Sequence, residues 1–478
     1  MYDVAIIGCG VIGAAAAYTL AQYDLKVLVL EAENDVAAAT TKANSAIIHA
    51  GYDPEPGTRM ARLNVMGSAM TEDICRKLDV PYKKIGSLVL AFSEEELVHI
   101  RKLYENGVVN GVLGLRLLDA GEVRQMEPEL NGEVKGALYA PSAAIINPWE
   151  YALAMAQAAV QNGVVLRRSH RVTAITQMGE GYRLTAGGAL FEARRVINAA
   201  GICADQVHNM AAAPTFKMIP NRGQYYLLDK SEGERVKHVI FQCPTKAGKG
   251  VLVAPTVHGN LIVGPDSEDV EGDDTATARP GLSYVAETAK KSVPGLDLRA
   301  SIRNFAGVRA ATDRDDFIIE RAAPGFIDLA GIKSPGLSSA PAIALEALSL
   351  LKEDGLSPQK KADFRAERRR IRFKELSAAQ KQALIERQPA YGRVICRCET
   401  VTEGEILEAI HAPIPPLSVD AVKRRCNAGM GRCQGGFCGP RVLDILSREL
   451  RLDPTDVLKD KAGTCILTAE TKEGHKDV

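Results

Sequence analysis

Residues 4–33 read VAIIGCGVIGAAAAYTLAQYDLKVLVLEAE, and the organisation of the chain follows from this stretch. A buried strand runs into a glycine turn, an Ala-rich helix and a second buried strand. Gly8, Gly10 and Gly13 form G-x-G-x-x-G directly after a strand and at the opening of a helix. The first glycine allows the tight turn, the second lets backbone approach a pyrophosphate, and the third lets helix and strand pack closely. Phosphates would then face the positive end of the helix. Glu31 ends the second strand, where a carboxylate can accept from ribose hydroxyls and repel a 2′-phosphate.

The 478-residue chain is long enough for two or three domains. Lys plus Arg and Asp plus Glu are both 59, so no global field draws it to nucleic acid or an anionic membrane. The first strand starts three residues from the initiator Met, which leaves no room for a signal peptide, and no apolar run reaches membrane-spanning length. The expectation is a cytoplasmic protein, with any membrane association made through a partner subunit. In that compartment clustered cysteines serve metal or redox chemistry more often than disulfides.

Three further segments matter: TTKANSAIIHAGYD (40–53), RRVINAAGICAD (194–205) and IDLAGIKSPGLSSAPAIALEALSLL (327–351). With the opening motif, their order and spacing over about residues 1–350 resemble the FAD-dependent oxidoreductases of the D-amino-acid oxidase family. That resemblance implies an α/β fold, a Rossmann-type FAD-binding domain with an inserted antiparallel-sheet substrate domain. It implies flavin contacts at Ile12, Thr41, Lys42, Asn44, Ser45, Val172, Ala200, Gly201 and Gly307, beside the glycines and Glu31 already named. It also places Gly336, Leu337, Ser338 and Ser339 at a helix N-terminus beneath the flavin pyrimidine, where the dipole favours the negative charge of reduced flavin.

The expected FAD-binding segments are 1–80, 145–211 and 300–352, and the substrate domain takes 81–144 and 212–299. GSLVLAFS (86–93) and GVLVAPTVHGNLIVGP (250–265) alternate as strands do, with His258-Gly259-Asn260 at a hairpin turn, so His258 reads as a turn residue. IPNRGQYYLL (219–228) and FAGVRAAT (305–312), with NSAIIHAGYD, resemble glycerol-3-phosphate and L-2-hydroxyglutarate dehydrogenases within that family. Both groups oxidise a secondary alcohol that carries an anionic group, chemistry that needs a base for the hydroxyl proton. The resemblance gives that role to His49, against packing on the flavin, and anion binding to Arg309 and, less directly, Lys249; Arg222, Lys246 and Arg314 are more ordinary surface charges.

Residues 353–390 read as a charged linker with one or two helices wrapping the flavin domain. VICRCETVTEGEILEAI (394–410) and KRRCNAGMGRCQGGFCGP (423–440) then hold five of the ten cysteines. Cys396 and Cys398 form C-x-C, and Cys433 and Cys438 form C-x4-C, each pair just before a helix. Thr402 and Glu405 fit a capping box, Ser418 an N-cap and Pro440 a first helical turn. Four thiolates suit a 2Fe-2S cluster or zinc, and zinc prefers C-x2-C. The spacing resembles the small helical bacterioferritin-associated-ferredoxin-like 2Fe-2S domain, here 391–452; Cys426 is a spare, read as a buried thiol, and 453–478 is a tail without a reading.

A flavin domain followed by such a domain is similar to the catalytic subunits of anaerobic glycerol-3-phosphate dehydrogenases. The expected function is FAD-dependent oxidation of sn-glycerol 3-phosphate to dihydroxyacetone phosphate, with electrons leaving through the cluster to a quinone or to further redox subunits, a second flavoprotein or iron–sulfur protein. The alternatives are another small anionic substrate, L-2-hydroxyglutarate or a 2-hydroxy or amino acid; an electron-transfer subunit with no substrate of its own; and an oxidase that passes electrons to dioxygen, made less apt by the cluster. No nucleic-acid partner and no direct membrane span are expected.

Overall fold

The computed structural model describes residues 1–244 and 250–469. The chain divides into two compact units, Met1–Glu31 with Val36–Arg368, and Ala32–Asp35 with Arg369–Val478.

The first unit contains two large sheets. One has a parallel core in the order Val165–Arg167, Val27–Leu30, Tyr2–Ile7, Ala189–Asn198, Phe326–Ala330. Val27–Leu30 is buried throughout, as a strand covered on both faces must be. Helix Val11–Leu20 is buried from Gly13 to Leu20 and packs against helices Pro148–Gln161 and Gly336–Glu353. Its alanines let these elements approach closely, and each fully buried aliphatic side chain such as Leu20 contributes about 1.5–3 kcal/mol. Helix Arg59–Leu78 meets Gly336–Glu353 through Gly67, where a Cβ would stand 2.3 Å from the Ser338 carbonyl oxygen.

The second sheet has nine strands among the described residues. Ser87–Ala91, Gly136–Ala140 and Arg116–Asp119 come from the first insertion. Met218–Leu228, Val239–Gln242, Leu252–Pro255, Leu261–Gly264 and Glu268–Asp269 come from the second. The two sets join where Val239–Gln242 runs parallel to Ser87–Ala91, among the described residues the one parallel pairing in a sheet the sequence reads as antiparallel. The strand Ser301–Thr312, grouped by sequence with the flavin segments, lies in this sheet, paired antiparallel with Met218–Leu228 along nearly its full length. His258 lies in the turn between Leu252–Pro255 and Leu261–Gly264, its Nε2 3.1 Å from Asn147 Nδ2.

The second unit has its own core, including Val401, Ile406, Val422, Val442 and Leu446. Its helices Glu403–Ile410, Val419–Cys426 and Gly439–Leu450 start at Thr402 with a full capping box to Glu405, at Ser418 accepting from the Ala421 N–H, and at Cys438 with Pro440 in the first turn. Helix Ala378–Arg387, read from sequence as wrapping the flavin domain, belongs to this unit, with Leu384 against Phe373 and Tyr391. The segment after residue 452 is not loose as far as it is described: Val457 is fully buried and Leu458 bridges to Ser418 and Cys465.

Asp35 is 1 % exposed and belongs to this unit. Its Oδ1 accepts from Arg425 Nη2 at 2.8 Å, and its Oδ2 from Arg425 Nη1 and Arg424 Nη2 at 2.9 Å each. Burial alone would raise the Asp35 pKa; the two guanidiniums outweigh it and hold the carboxyl at about 2. No described helix is long and apolar enough to cross a membrane.

Candidate functional site

The glycine motif is fixed by close contacts. Gly8 has φ +96°, and a Cβ there would stand 2.4 Å from the Ala199 carbonyl oxygen. A Cβ on Gly13 would meet the Gly8 carbonyl oxygen at 2.0 Å, so only glycine fits either place. Val11 N–H donates to Thr41 Oγ1 at 2.9 Å, which ties the helix start to the 40–45 loop. Glu31 Oε2 accepts from the Cys9 N–H at 2.6 Å, so the acid at the second strand's end also braces the turn.

Beside this motif, within the first unit, lies a cleft. Its walls include Ile12, Thr41, Asn44, Ser45, His49, Gly307, Arg309, Gly336 and Leu337. The loop passes so close to strand Ser301–Thr312 that a Cβ on Gly307 would fall 1.8 Å from the Ala43 carbonyl oxygen. Thr40 Oγ1 donates to the Val308 carbonyl at 2.7 Å, a second tie between them. Ser338 and Ser339 are fully buried and stand behind the wall: Ser338 Oγ accepts from the His49 N–H at 2.8 Å, and Ser339 Oγ donates to the Pro335 carbonyl at 3.1 Å. Lys42, Val172, Ala200 and Gly201 are not among the residues lining the cleft. Val172 opens strand Val172–Met178, and Gly201, at φ +59°, begins a short turn after Ala189–Asn198.

His49 is held from several sides. Asn64 Nδ2 donates to its carbonyl at 2.8 Å, its ring stacks on Phe241 at 5.8 Å, and its Nε2 is 3.4 Å from Ser334 Oγ. Arg309 donates to the side-chain oxygen of Asn221, to the Arg222 carbonyl at 3.3 Å and to the Asp266 carbonyl at 3.2 Å. All three acceptors are neutral, and no described carboxylate pairs with Arg309.

The other cations read from sequence divide. Arg222 is paired with Glu268 and Asp274 at 2.7 Å each, and Arg314 with Glu320 at 3.0 Å. Lys246 and Lys249 lie outside the described residues. Among the lining residues not singled out from sequence are Tyr225, Lys333 and Ser334. Lys333 and Ser334 precede Gly336 in GIKSPG, and the cis peptide between Ser334 and Pro335 lies at the helix start. Tyr225 is 4 % exposed and stacks on Phe305 at 4.9 Å; its hydroxyl bonds Ser45 and Arg309, and burial raises its pKa so that it remains a neutral phenol. Its alternating place in the strand signalled burial, not a site.

The cleft fits a flavin. Helix starts at Val11 and at Gly336–Leu337 border it, small residues line one side, and Gly8 and Gly13 set the turn.

In the second unit the thiols stand as two pairs. Cys398 and Cys433 sulfurs are 3.7 Å apart, and Cys396 and Cys438 share a hydrogen bond that lowers the Cys396 pKa to about 6, helped by the N–H groups of Gly429 and Glu399, and raises that of Cys438. The N–H groups of Phe437 and Gly435 lower the Cys433 pKa. Gly429 and Gly435, at φ +91° and +90°, take the left-handed conformations that turn these loops around the sulfurs. Among the described residues no three ligand groups converge on a point. These four thiols are the residues that would hold a 2Fe-2S cluster, whose irons take thiolate ligands. Cys426 belongs to neither pair: its thiol donates to the Val422 carbonyl at 3.3 Å, and burial pushes its pKa up to about 12.

Residues 3–350 match the family described as FAD dependent oxidoreductase, and residues 394–448 match the BFD-like [2Fe-2S] binding domain. The chain belongs to the FAD-dependent oxidoreductase family and carries a C-terminal BFD-like 2Fe-2S domain. It is glycerol-3-phosphate dehydrogenase-like: it is 52% identical over 99% of both chains to a protein of Caloramator mitchellensis named glycerol 3-phosphate dehydrogenase. A glycerol 3-phosphate oxidase of Mycoplasma genitalium is 36% identical over 73% of this chain and 94% of its own. The structure of dithionite-reduced L-alpha-glycerophosphate oxidase from Mycoplasma pneumoniae, with FAD bound, superposes with TM-score 0.73 and 33% identity, covering 77% of this chain and 98% of that one.

Proposed function

We propose that this chain oxidises sn-glycerol 3-phosphate to dihydroxyacetone phosphate. The observation that carries the reading is the meeting of His49, Arg309 and Lys333 on one cleft. A base and two cations suit a secondary alcohol bearing a phosphate dianion. The whole-length relative named for this substrate supports the same assignment.

Bound FAD supplies an acceptor for the hydride that leaves the alcohol carbon. His49 takes the hydroxyl proton, its ring held by Phe241 and with Ser334 at its Nε2. Arg309 binds the phosphate, and Lys333 is a second cation for its remaining charge; neither makes an ion pair with a described residue. We assign the FAD contacts to the glycine turn, Glu31, the 40–45 loop and the Gly336 helix start, and the cluster to Cys396, Cys398, Cys433 and Cys438. The cluster supplies one-electron transfer, which fits an exit to a partner subunit or a quinone in place of dioxygen.

The test is an anaerobic titration of the purified holoenzyme, following flavin absorbance. Bleaching by sn-glycerol 3-phosphate at low concentration is expected. Bleaching by L-2-hydroxyglutarate or another 2-hydroxy acid instead would overturn the substrate assignment. Rapid peroxide formation in air would overturn the proposed electron exit.

A further inference from the structure

We propose that Asn221 is a positioning residue that keeps Arg309 available to the substrate's anion, by presenting an amide where a carboxylate would neutralise it. The inference rests on the reading of Arg309 as the anion site.

Arg309 lies in acidic surroundings. Asn221 is its direct partner in the register between Met218–Leu228 and Ser301–Thr312, and Asp266, Glu268, Asp269 and Asp274 follow on the neighbouring segment. Each of these four carboxylates has another partner. Asp266 accepts from the backbone and side-chain N–H groups of Gln224 at 2.6 Å each. Glu268 and Asp274 pair with Arg222. Asp269 Oδ1 accepts from Asn221 Nδ2 at 2.9 Å. Three residues of one strand thus engage all four carboxylates, and Arg309 meets only neutral oxygens.

The chemistry at 221 is narrow. A guanidinium has only donors, so the group facing Arg309 must accept; a carboxylate has only acceptors when ionised, so the group facing Asp269 must donate. An amide does both from one side chain. The Asn221 oxygen also accepts from Ser267 Oγ at 3.1 Å, which fixes its orientation further. Gly223 leaves the space the guanidinium occupies, since a Cβ there would come within 2.5 Å of Arg309 Nη2. Asn221→Asp keeps the shape, places a charge against Arg309 and sets two carboxylates face to face. Adding Asp269→Asn puts the donating amide at 269, which restores the hydrogen bond between the two positions with its direction reversed while leaving the new charge on Arg309.

The experiment compares holoenzyme of wild type, Asn221→Asp, Asn221→Asp/Asp269→Asn, Asp269→Asn and Arg309→Ala. Dissociation constants for sn-glycerol 3-phosphate, with inorganic phosphate as a second probe, come from anaerobic flavin spectra, beside KM, kcat and thermal midpoints. Expected is a KM rise of about tenfold or more in Asn221→Asp, larger than its change in kcat, that persists in the double variant although its thermal midpoint recovers. Recovery of KM together with stability in the double variant would overturn the proposal, because the role would then be structural. Wild-type affinity in Asn221→Asp with lost affinity in Arg309→Ala would overturn it while leaving the anion-site reading intact. Wild-type affinity in Arg309→Ala would remove the reading itself. If Asn221→Asp does not fold, the double variant alone decides between these outcomes.

Discussion

The imidazole Nε2 of His49 stands 3.4 Å from the hydroxyl oxygen of Ser334, while the backbone N–H of the same histidine donates to Ser338 at 2.8 Å. The segment that opens the Gly336 helix therefore grips this histidine by its main chain and faces its ring. Loop and helix start are one construction, although 285 residues separate them in sequence.

His49→Ala is expected to slow flavin reduction by substrate about 10²–10⁴-fold, the usual contribution of a positioned base. Ser334→Ala should slow it by less, since it removes only a neighbour of the ring. Stopped-flow absorbance under anaerobic conditions measures both, and a wild-type rate in His49→Ala would end the base assignment.

Gly13→Ala drives a methyl group into the Gly8 carbonyl at 2.0 Å, and Gly307→Ala drives one into Ala43 at 1.8 Å. Both obstacles are backbone, which yields less readily than a side chain, and overpacking of this kind typically costs about 1–3 kcal/mol. Reduced flavin content at purification and a lower thermal midpoint are expected for each. Full flavin occupancy in Gly13→Ala would mean the turn relaxes without loss of the cofactor.

Cys433→Ser should abolish the iron–sulfur absorbance, and Cys426→Ser should preserve it, because only the first belongs to a thiol pair. Iron per chain by elemental analysis reads the difference directly. Iron lost equally in both variants would bring the spare cysteine into the ligand set.

Asp35→Asn leaves two guanidiniums, 6 % and 2 % exposed, without their shared counter-charge. Removing one partner of such a buried cluster costs about 3–5 kcal/mol. The wild-type carboxyl is depressed from 3.8 to about 2, so its contribution is fully present above 3.8 and is lost as pH falls through about 2. Denaturation between pH 4 and 2 should be steeper in the wild type than in Asp35→Asn. Parallel acid limbs would show that this carboxyl does not govern the transition.

The parts legible in the sequence were those whose causes are local. The glycine turn and the 402–405 capping box each depend on residues a few positions apart, so spacing carries the information. The C-x-C and C-x4-C spacings marked the four cysteines but not that their thiols meet across the two motifs, Cys398 with Cys433 and Cys396 with Cys438. Resemblance brought His49 and Arg309 forward, and both line the cleft, but nothing in the sequence placed Asn221 beside Arg309. Strand alternation says which face is buried and not which strand is next, so neither the parallel junction nor the placement of Ser301–Thr312 could be read. Asp35 had no local signal at all: an acid just after Glu31 looks like a solvated loop residue until Arg424 and Arg425 are brought to it. Lys333 and Ser334 lay inside a quoted motif, but an isolated lysine or serine in a turn resembles any surface residue.

The junction between Ser87–Ala91 and Val239–Gln242 sets a schedule for synthesis. Ser87–Ala91 is an entirely buried SLVLA strand, and one of its two neighbours is encoded about 150 residues later. At about 5–20 residues per second, a nascent chain carries that apolar edge unpaired for roughly 8–30 s. Such an edge is a template for pairing with another chain. The emerging polypeptide thus has a defined window of vulnerability, closed only when the strand around Ile240 leaves the ribosome, and the timing of chaperone engagement on stalled nascent chains should follow it.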